Sequence, residues 1–267
     1  MIVQGKEIAE HVISDLKNKF DYSKTVCFVQ FGNNPASAAF IKRKQKIAEA
    51  LKIHTHVAHE PAPISTEWAI QKMREVLSKK YDGIVVQLPL PEGLDTHLIL
   101  NMVPGHIDID VLTDEMIAKC KEGTTLRLPP VAFAVQEILK YYKVSLENKR
   151  VVILGQGRLV GEPVTYWFRN QNVDLQTFDH MSVAVERDTA LKNADIVVTG
   201  IGQPHFVKPE RLKVGVVLID AGTSEQAGRL VGDCDPACGE IASVFSTVPG
   251  GVGPITVAGL FANLTVE

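Results

Sequence analysis

No stretch of this 267-residue sequence is apolar for long enough to cross a bilayer. Its opening, M-I-V-Q-G-K-E-I-A-E-H, has no apolar run of the kind that marks an export signal, so a cytoplasmic location without membrane contact is expected. Cysteine is scarce: Cys27, Cys120, Cys234 and Cys238 are the only four, they are scattered, and reduced thiols are the expectation. Cys234 and Cys238 lack a nearby second Cys or His pair, which a structural zinc site needs, so no metal is expected. Neither sign of charge dominates; a formal net charge of −3 gives no basic field for nucleic acid. Low-complexity tracts and repeats of fixed period are lacking too. What remains, with 45% hydrophobic and 22% charged residues, is an ordinary globular composition and enough chain for one large domain or two smaller ones.

The most informative stretch is R-V-V-I-L-G-Q-G-R-L-V-G-E-P, Arg150 to Pro163. Val151 to Leu154 read as a buried strand, and Gly155, Gly157 and Gly161 punctuate the passage into a helix whose apolar face carries Val164, Trp167 and Phe168. A strand, a glycine turn and a helix suit a dinucleotide. Glycines let backbone N–H groups approach a pyrophosphate, and the helix N-terminus adds partial positive charge. The spacing is G-x-G-x-x-x-G rather than G-x-G-x-x-G, and any tight strand-to-helix turn favours glycine. A second apolar segment, Val173 to Phe178, ends about twenty residues on in Asp179, where a carboxylate can accept from ribose hydroxyls.

On either side, strands and helices alternate. Helices are predicted over Gly5 to Phe20, Ala36 to Leu51, Thr66 to Lys79, Thr96 to Met102, Pro130 to Tyr142 and Ser182 to Leu191. Strands are predicted over Thr25 to Phe31, Ile53 to His59, Asp82 to Leu88, Ala194 to Thr199, Val214 to Asp220 and Leu230 to Cys234. The turns Gly200-Ile201-Gly202 and Ala221-Gly222-Thr223 follow two of these strands. Such alternation argues for α/β architecture with parallel, doubly wound sheet. The stretch T-V-P-G-G-V-G-P-I-T, Thr247 to Thr256, reads as a loop that presents bare backbone to a flat ligand, followed by a helix to about Asn263.

Polar residues at three places invite a chemical reading. Phe40 and Lys44 are four apart and share a face of the second helix, with Lys42, Arg43 and Lys46 in the same turns. A solvated basic helix surface is the plain reading; if Lys44 turns inward, burial and neighbouring cations lower its pKa toward that of a usable base. Gln87 sits at the C-terminal end of D-G-I-V-V-Q-L, where open α/β sheets place ligands, and Pro89-Leu90-Pro91 stops that strand. In P-G-H-I-D-I-D-V-L, Pro104 to Leu112, Asp108 and Asp110 alternate with apolar residues, as in an extended segment with one polar face.

Three stretches in this order, N-P-A-S-A-A-F-I-K-R-K-Q-K (Asn34 to Lys46), D-G-I-V-V-Q-L-P-L-P (Asp82 to Pro91) and P-G-G-V-G-P-I-T (Pro249 to Thr256), resemble the signatures of the bifunctional methylenetetrahydrofolate dehydrogenase/cyclohydrolase family. G-Q-G-R-L-V-G-E-P falls where that family has its G-R-S-x-x-V-G-x-P nucleotide loop, so the resemblance spans essentially the whole chain. It implies two α/β domains: a folate-binding catalytic domain over 1–128, rejoined by the C-terminal helix 254–267, and a Rossmann-type dinucleotide-binding domain over 129–253. A homodimer is usual in the family. The implied activity is oxidation of 5,10-methylenetetrahydrofolate to 5,10-methenyltetrahydrofolate with a nicotinamide cofactor, then hydrolysis to 10-formyltetrahydrofolate in the same cleft. By the same resemblance Lys44 is the catalytic lysine, Gln87 its hydrogen-bonding partner and Asp110 the carboxylate that binds the pterin. Phe40, Leu88, Pro89 and the closing residues Pro249, Gly250, Gly251, Gly253 and Pro254 are implied to lie against the folate. Gly155, Gln156, Gly157, Arg158, Val160, Gly161, Asp179, Gly200, Gly222 and Thr223 are implied to hold the cofactor.

The sequence also departs from the family. Phe40 stands where tyrosine is usual, which keeps a ring but no hydroxyl. P-x-T-P-x-G becomes P-P-V-A-F-A, Pro129 to Ala134; the lysine before the Asp-x-Asp pair is Ile107, and the glycine after it is Val111. A dehydrogenase with weakened or lost cyclohydrolase is therefore a second reading, and a non-catalytic nucleotide-binding regulator on the same scaffold a third. Gln156 replaces the arginine of the nucleotide loop and Gly157 its serine. Without that arginine, and with Asp179 repelling a 2′-phosphate, NAD is expected to serve at least as well as NADP, although Arg158 and His180 stand near enough in sequence to restore a phosphate site.

Overall fold

Ile8, Val12 and Leu16 recur at helical spacing and are buried along one side of the first helix, α1 (Gly5–Leu16), which ends short of the expected Phe20. The computed structural model describes residues 1–61, 64–226 and 228–266. It divides into two compact units, His11–Arg127 with Leu260–Glu267, and Met1–Glu10 with Leu128–Gly259. Among the described residues no helix is long and apolar enough to cross a membrane.

In the first unit, β1 (Thr25–Phe31) is buried from Val26 onward. The chain then turns into α2 (Pro35–Ala50), whose start is fixed by Asn34 Oδ1 accepting from the Ala36 and Ser37 N–H groups and by Pro35 at the first helical position. There follow β2 (His54–Glu60), α3 (Thr66–Leu77) capped by Ser65, β3 (Gly83–Val86), α4 (Thr96–Leu100) and α5 (Asp114–Glu122). The three strands form a parallel sheet in the order β2-β1-β3, with Cys27 opposite both His56 and Ile84. Val29, Phe31, Met73, Ile84 and Ile99 pack together on one of its faces. An isolated parallel bridge from Ile84 to Asp108 continues the pairing beyond β3.

Two expectations change here. Helix α5 was not expected, yet Thr113 caps it, acidic Asp114 and Glu115 open it, and Gly123 ends it in the left-handed conformation at φ 68°. The segment Pro104 to Leu112 is not extended: a 3-10 turn at Gly105–Ile107 leads into a tight turn closed on the Asp108 carboxylate, because its backbone N–H groups converge on that side chain.

The second unit carries α6 (Pro130–Tyr141), β4 (Arg150–Leu154), α7 (Gly161–Arg169), β5 (Asp174–Phe178), α8 (Ala184–Asn193), β6 (Ile196–Thr199), β7 (Val217–Asp220), β8 (Ser224–Gln226), β9 (Arg229–Val231), β10 (Val244–Ser246) and α9 (Val252–Ala262). Its main sheet is parallel in the order β10-β7-β6-β4-β5; β6 and β7 are buried from end to end and β4 from Val151 onward, as expected of strands covered on both faces. Ile2 bridges to Phe245, so the first residues lie along the edge of β10. The expected strand Leu230 to Cys234 is instead β9, paired antiparallel with β8. The three-residue β10 was not expected.

The stretch Thr247 to Thr256 is a loop only as far as Gly251; from Val252 it is helical. Pro254 does not break α9, because it sits in the first turn, where its missing N–H has no intrahelical acceptor to satisfy. The end of the helix belongs to the first unit, where a 3-10 turn, Asn263–Thr265, follows and Asn263 Nδ2 donates to Ile109 O at 2.9 Å. The helix therefore stops at Ala262, within a residue of the expected end near Asn263 though short of the 267 bound of the returning segment, and Glu267 lies outside the described residues.

Candidate active site

Ser37, Ile41, Lys44 and Ala48 recur at helical spacing and form the buried face of α2, so Lys44 turns inward while Lys42, Arg43 and Lys46 stay exposed. Lys44 Nζ donates to Gln87 Oε1 at 3.0 Å. Gln87 follows directly on β3; its N–H still bonds to Val29 O at 2.8 Å, and its Nε2 donates to Leu88 O at 2.7 Å, which holds the amide in place. Burial pushes the Lys44 pKa below its ordinary value, and the Asp110 carboxylate partly opposes that. The neighbouring cations, expected to help, are not among the causes; their heads are exposed and solvent screens them. Asp110 is pushed up to about 6 by burial, against the pull of Lys44 and with a further push from Asp108. A lysine lowered and a carboxylate raised within one site are the kind of pair that acid–base chemistry uses. One turn before Lys44, the Phe40 ring is 43% exposed, with the Arg43 guanidinium 5.6 Å from its centre.

In the second unit, β5 and β6 flank β4 on opposite sides, so the winding of the sheet reverses at β4 and its C-terminal end is the switch point where such sheets bind ligands. Gly155 leaves β4 at φ 90°, its N–H bonded to Phe178 O at 2.7 Å. A Cβ on Gly161 would lie 1.9 Å from the Gly155 carbonyl oxygen, and one on Gly200 would lie 2.3 Å from the Val160 side chain. Glycine is thus demanded at both by the chain's own packing. Around Gly157 nothing lies within 4 Å of such an atom, and α7 begins without a side-chain cap, leaving exposed backbone of the kind a pyrophosphate takes. Gln156 is turned to its own chain: Nε2 donates to Gly155 O at 2.7 Å, and Oε1 accepts from Thr165 Oγ1 at 3.3 Å.

Asp179 follows β5, exposed, with Oδ1 accepting from Ser182 Oγ and Met181 N at 2.9 Å each; those bonds hold its carboxyl below the usual carboxylate range. Gly222 and Thr223 follow β7, so the candidate cofactor residues gather at the C-terminal ends of β4, β5, β6 and β7. These residues fit a dinucleotide. Among the described residues no cluster of three or more His, Cys, Asp or Glu could hold a metal.

The two parts of the chain match two models of a single family. The model for the tetrahydrofolate dehydrogenase/cyclohydrolase catalytic domain covers residues 3–110, and the model for the NAD(P)-binding domain covers residues 129–267. The chain belongs to this family. It is 30% identical to the bifunctional protein FolD of Thermus thermophilus over 98% of this chain and 94% of that one. The crystal structure of the bifunctional enzyme FolD from Campylobacter jejuni superimposes with a TM-score of 0.93 at 27% identity, covering 99% of this chain and 96% of that one. The FolD of Trypanosoma brucei, solved with NADP cofactor and an inhibitor, gives 0.90 at 27% identity over 99% and 96%.

Within the tetrahydrofolate dehydrogenase/cyclohydrolase fold the structure brings Lys44, Gln87 and Asp110 together in the first unit. It divides the closing residues. Pro249 and Gly250 are exposed in the loop, Gly251 is buried and bonds back to Thr247 O at 2.9 Å, and Gly253 and Pro254 belong to the first turn of α9. Sequence reasoning missed two buried aspartates near the sheet's C-terminal edge. Asp233 accepts from Thr199 Oγ1, Ile201 N and Gln203 N at 2.8–2.9 Å and so fixes the loop after β6; Asp220 accepts from Gly222 N, Asp233 N and Cys234 N. The signal for Asp220 was an aspartate closing the apolar run V-V-L-I-D, Val216 to Asp220.

Proposed function

We propose that the protein oxidises 5,10-methylenetetrahydrofolate to 5,10-methenyltetrahydrofolate with NAD(P) and hydrolyses that product to 10-formyltetrahydrofolate. The observation that carries this reading is the buried Lys44–Gln87 bond beside Asp110. A nicotinamide cofactor held by the second unit's glycine turn would supply the acceptor for the hydride. Its departure leaves a cation shared by two substrate nitrogens, so this step asks the protein for orientation rather than for an acid. Asp110 accepts from the N–H groups of the pterin, and Phe40, Leu88 and Pro89 bound the folate. Lys44, already lowered by burial, is lowered further beside a cationic substrate and takes a proton from the attacking water, while Gln87 Oε1 holds Nζ in place.

The folate side is assigned to residues 1–128 with 254–267, and the cofactor side to 129–253. Gly157 lets the cofactor approach bare backbone, Gly155, Gly161, Gly200 and Gly222 allow the close packing of the chain that shapes the turns around it, and Asp179 takes the ribose hydroxyls. With Gln156 bonded to its own chain and Asp179 ionised, NAD serves at least as well as NADP. The protein acts as a cytoplasmic homodimer, the assembly usual for the sequences it resembles.

Phe40 favours one alternative, a dehydrogenase with weakened hydrolysis, because the ring has no hydroxyl to order water near Lys44. Supplying methenyltetrahydrofolate without cofactor separates the two. Decay of its absorbance well above the spontaneous rate supports the bifunctional enzyme; decay at the spontaneous rate supports the alternative.

A further inference from the structure

Asp108 is 3% exposed, and its carboxylate faces its own backbone. Oδ1 accepts from Asp110 N at 3.2 Å and Val111 N at 2.8 Å, and Oδ2 accepts from Leu112 N at 2.9 Å and Thr113 N at 2.8 Å. Four successive amides thus close on one side chain, as in the backbone nests that bind anions. Within that turn Val111 has φ 57°, a left-handed conformation that is an outlier for a β-branched residue. The family's usual glycine would take it freely, whereas here the valine side chain is buried with Met116 and Cys120.

The same turn is tied down from outside. Asp108 bridges to Ile84 of β3, the strand that leads to Gln87; Asn263 Nδ2 donates to Ile109 O at 2.9 Å; and buried Arg127 donates Nη1 to Gly105 O at 2.9 Å and Nε to Val266 O at 3.2 Å. Asp110 therefore has a fixed backbone on both sides. The charged groups acting on its carboxylate are Lys44 from α2 and Asp108 from its own turn; the Asp108 charge also opposes the burial that lowers Arg127 and adds to the burial that raises Cys120.

We propose that Asp108 is a positioning residue for the folate site, its carboxylate gathering the amides of residues 110–113 so that Asp110 is held toward Lys44 despite the strained backbone at Val111. An asparagine cannot replace it, since a single amide oxygen cannot take four N–H donors. The charge also acts on Asp110, opposing its ionisation through space. Asp108 does not touch substrate, and the proposal rests on the reading that Asp110 binds the pterin.

The test uses steady-state kinetics of the full chain carrying Asp108→Asn, Asp108→Glu, Asp108→Asn with Val111→Gly, and Asp110→Asn, each checked by circular dichroism. Asp108→Asn is expected to raise the KM for methylenetetrahydrofolate tenfold or more while the cofactor KM stays within twofold. Its folate KM should also hold to lower pH than the native enzyme's, because Asp110 then ionises more readily. Adding Val111→Gly should recover much of the KM by removing the strain but leave the pH shift, and Asp108→Glu should lose KM without that shift. A parallel rise of both KM values, an unshifted pH profile, or failure of Asp108→Asn and its double variant to fold would make Asp108 a support of the fold alone and overturn the proposal. Unchanged folate KM in Asp110→Asn would instead overturn the assignment of Asp110, whatever the Asp108 variants do.

Discussion

Lys44 Nζ is bonded to Gln87 Oε1 at 3.0 Å, so a buried amine has a neutral amide, and not a carboxylate, as its direct partner. An amide accepts from the amine in either protonation state, whereas a carboxylate at that distance would hold the proton on. Asp110 supplies the negative charge at longer range. The arrangement keeps Lys44 buried and oriented while leaving it free to take up and release a proton.

Lys44→Met should remove that exchange without emptying the space the side chain fills. Hydride transfer is expected to survive largely intact, and hydrolysis to fall by about 10²–10⁴, the usual contribution of a positioned acid or base. Methenyl absorbance followed after addition of methylenetetrahydrofolate checks this: it accumulates in the variant and passes through transiently in the native protein.

Two glycines of the nucleotide loop should respond oppositely to the same change. Gly161→Ala drives a Cβ to within 1.9 Å of a backbone oxygen, so the backbone must move, at a cost of about 1–3 kcal/mol in stability. Gly157→Ala meets nothing within 4 Å and should leave stability within about 0.5 kcal/mol of native while raising the cofactor KM several-fold. Urea midpoints and cofactor titrations of the two variants give the comparison.

How far the sequence could carry the argument varies from element to element. Helix α2 was legible because Asn34 and Pro35 announce its start and a buried face recurs through Ile41 and Ala48. The inward turn of Lys44 could be posed only as a condition; burial was rightly named as a cause of its lowered pKa, but the neighbouring cations were not, since exposed neighbours looked as close in sequence as buried ones are in space. Helix α5 carried its caps in plain view but buries only Met116 and Cys120, too few to register as a periodic pattern. Strand β10 is three residues long, and the last helix was placed from Pro254 although it begins at Val252, because the glycines around that proline hide its start. The role of Asp108 depends on where four backbone N–H groups point, which no side-chain pattern records.

Asp110 also sets a pH dependence of stability. Its folded pKa is raised from 3.8 to about 6, so the folded state binds its proton more tightly than the unfolded chain. Stability is therefore lost as pH rises from about 4 to about 6 and stays lost above. Asp110→Asn should accordingly stabilise the protein at pH 7 by about 1–3 kcal/mol and change little at pH 4. Denaturation midpoints at the two pH values read the difference directly.

Cofactor choice should turn on Asp179. Its carboxylate is ionised and lies at the end of β5, next to the strand that leads into the glycine turn. Asp179→Ser removes a charge that repels a 2′-phosphate, and kcat/KM for NADP relative to NAD should rise about tenfold or more, which corresponds to about 1.4 kcal/mol. A large native preference for NADP, unaltered by the substitution, would contradict the assignment.

The most direct test of the central claim is to give the native protein methylenetetrahydrofolate with NAD, and separately with NADP, recording reduced nicotinamide and methenyl absorbance together. The account predicts reduced cofactor in stoichiometric yield, no lasting methenyl signal, and a rate with NAD at least equal to that with NADP. Persistent methenyl absorbance would contradict the hydrolytic half of the claim, and no reduction of either cofactor would contradict the whole of it.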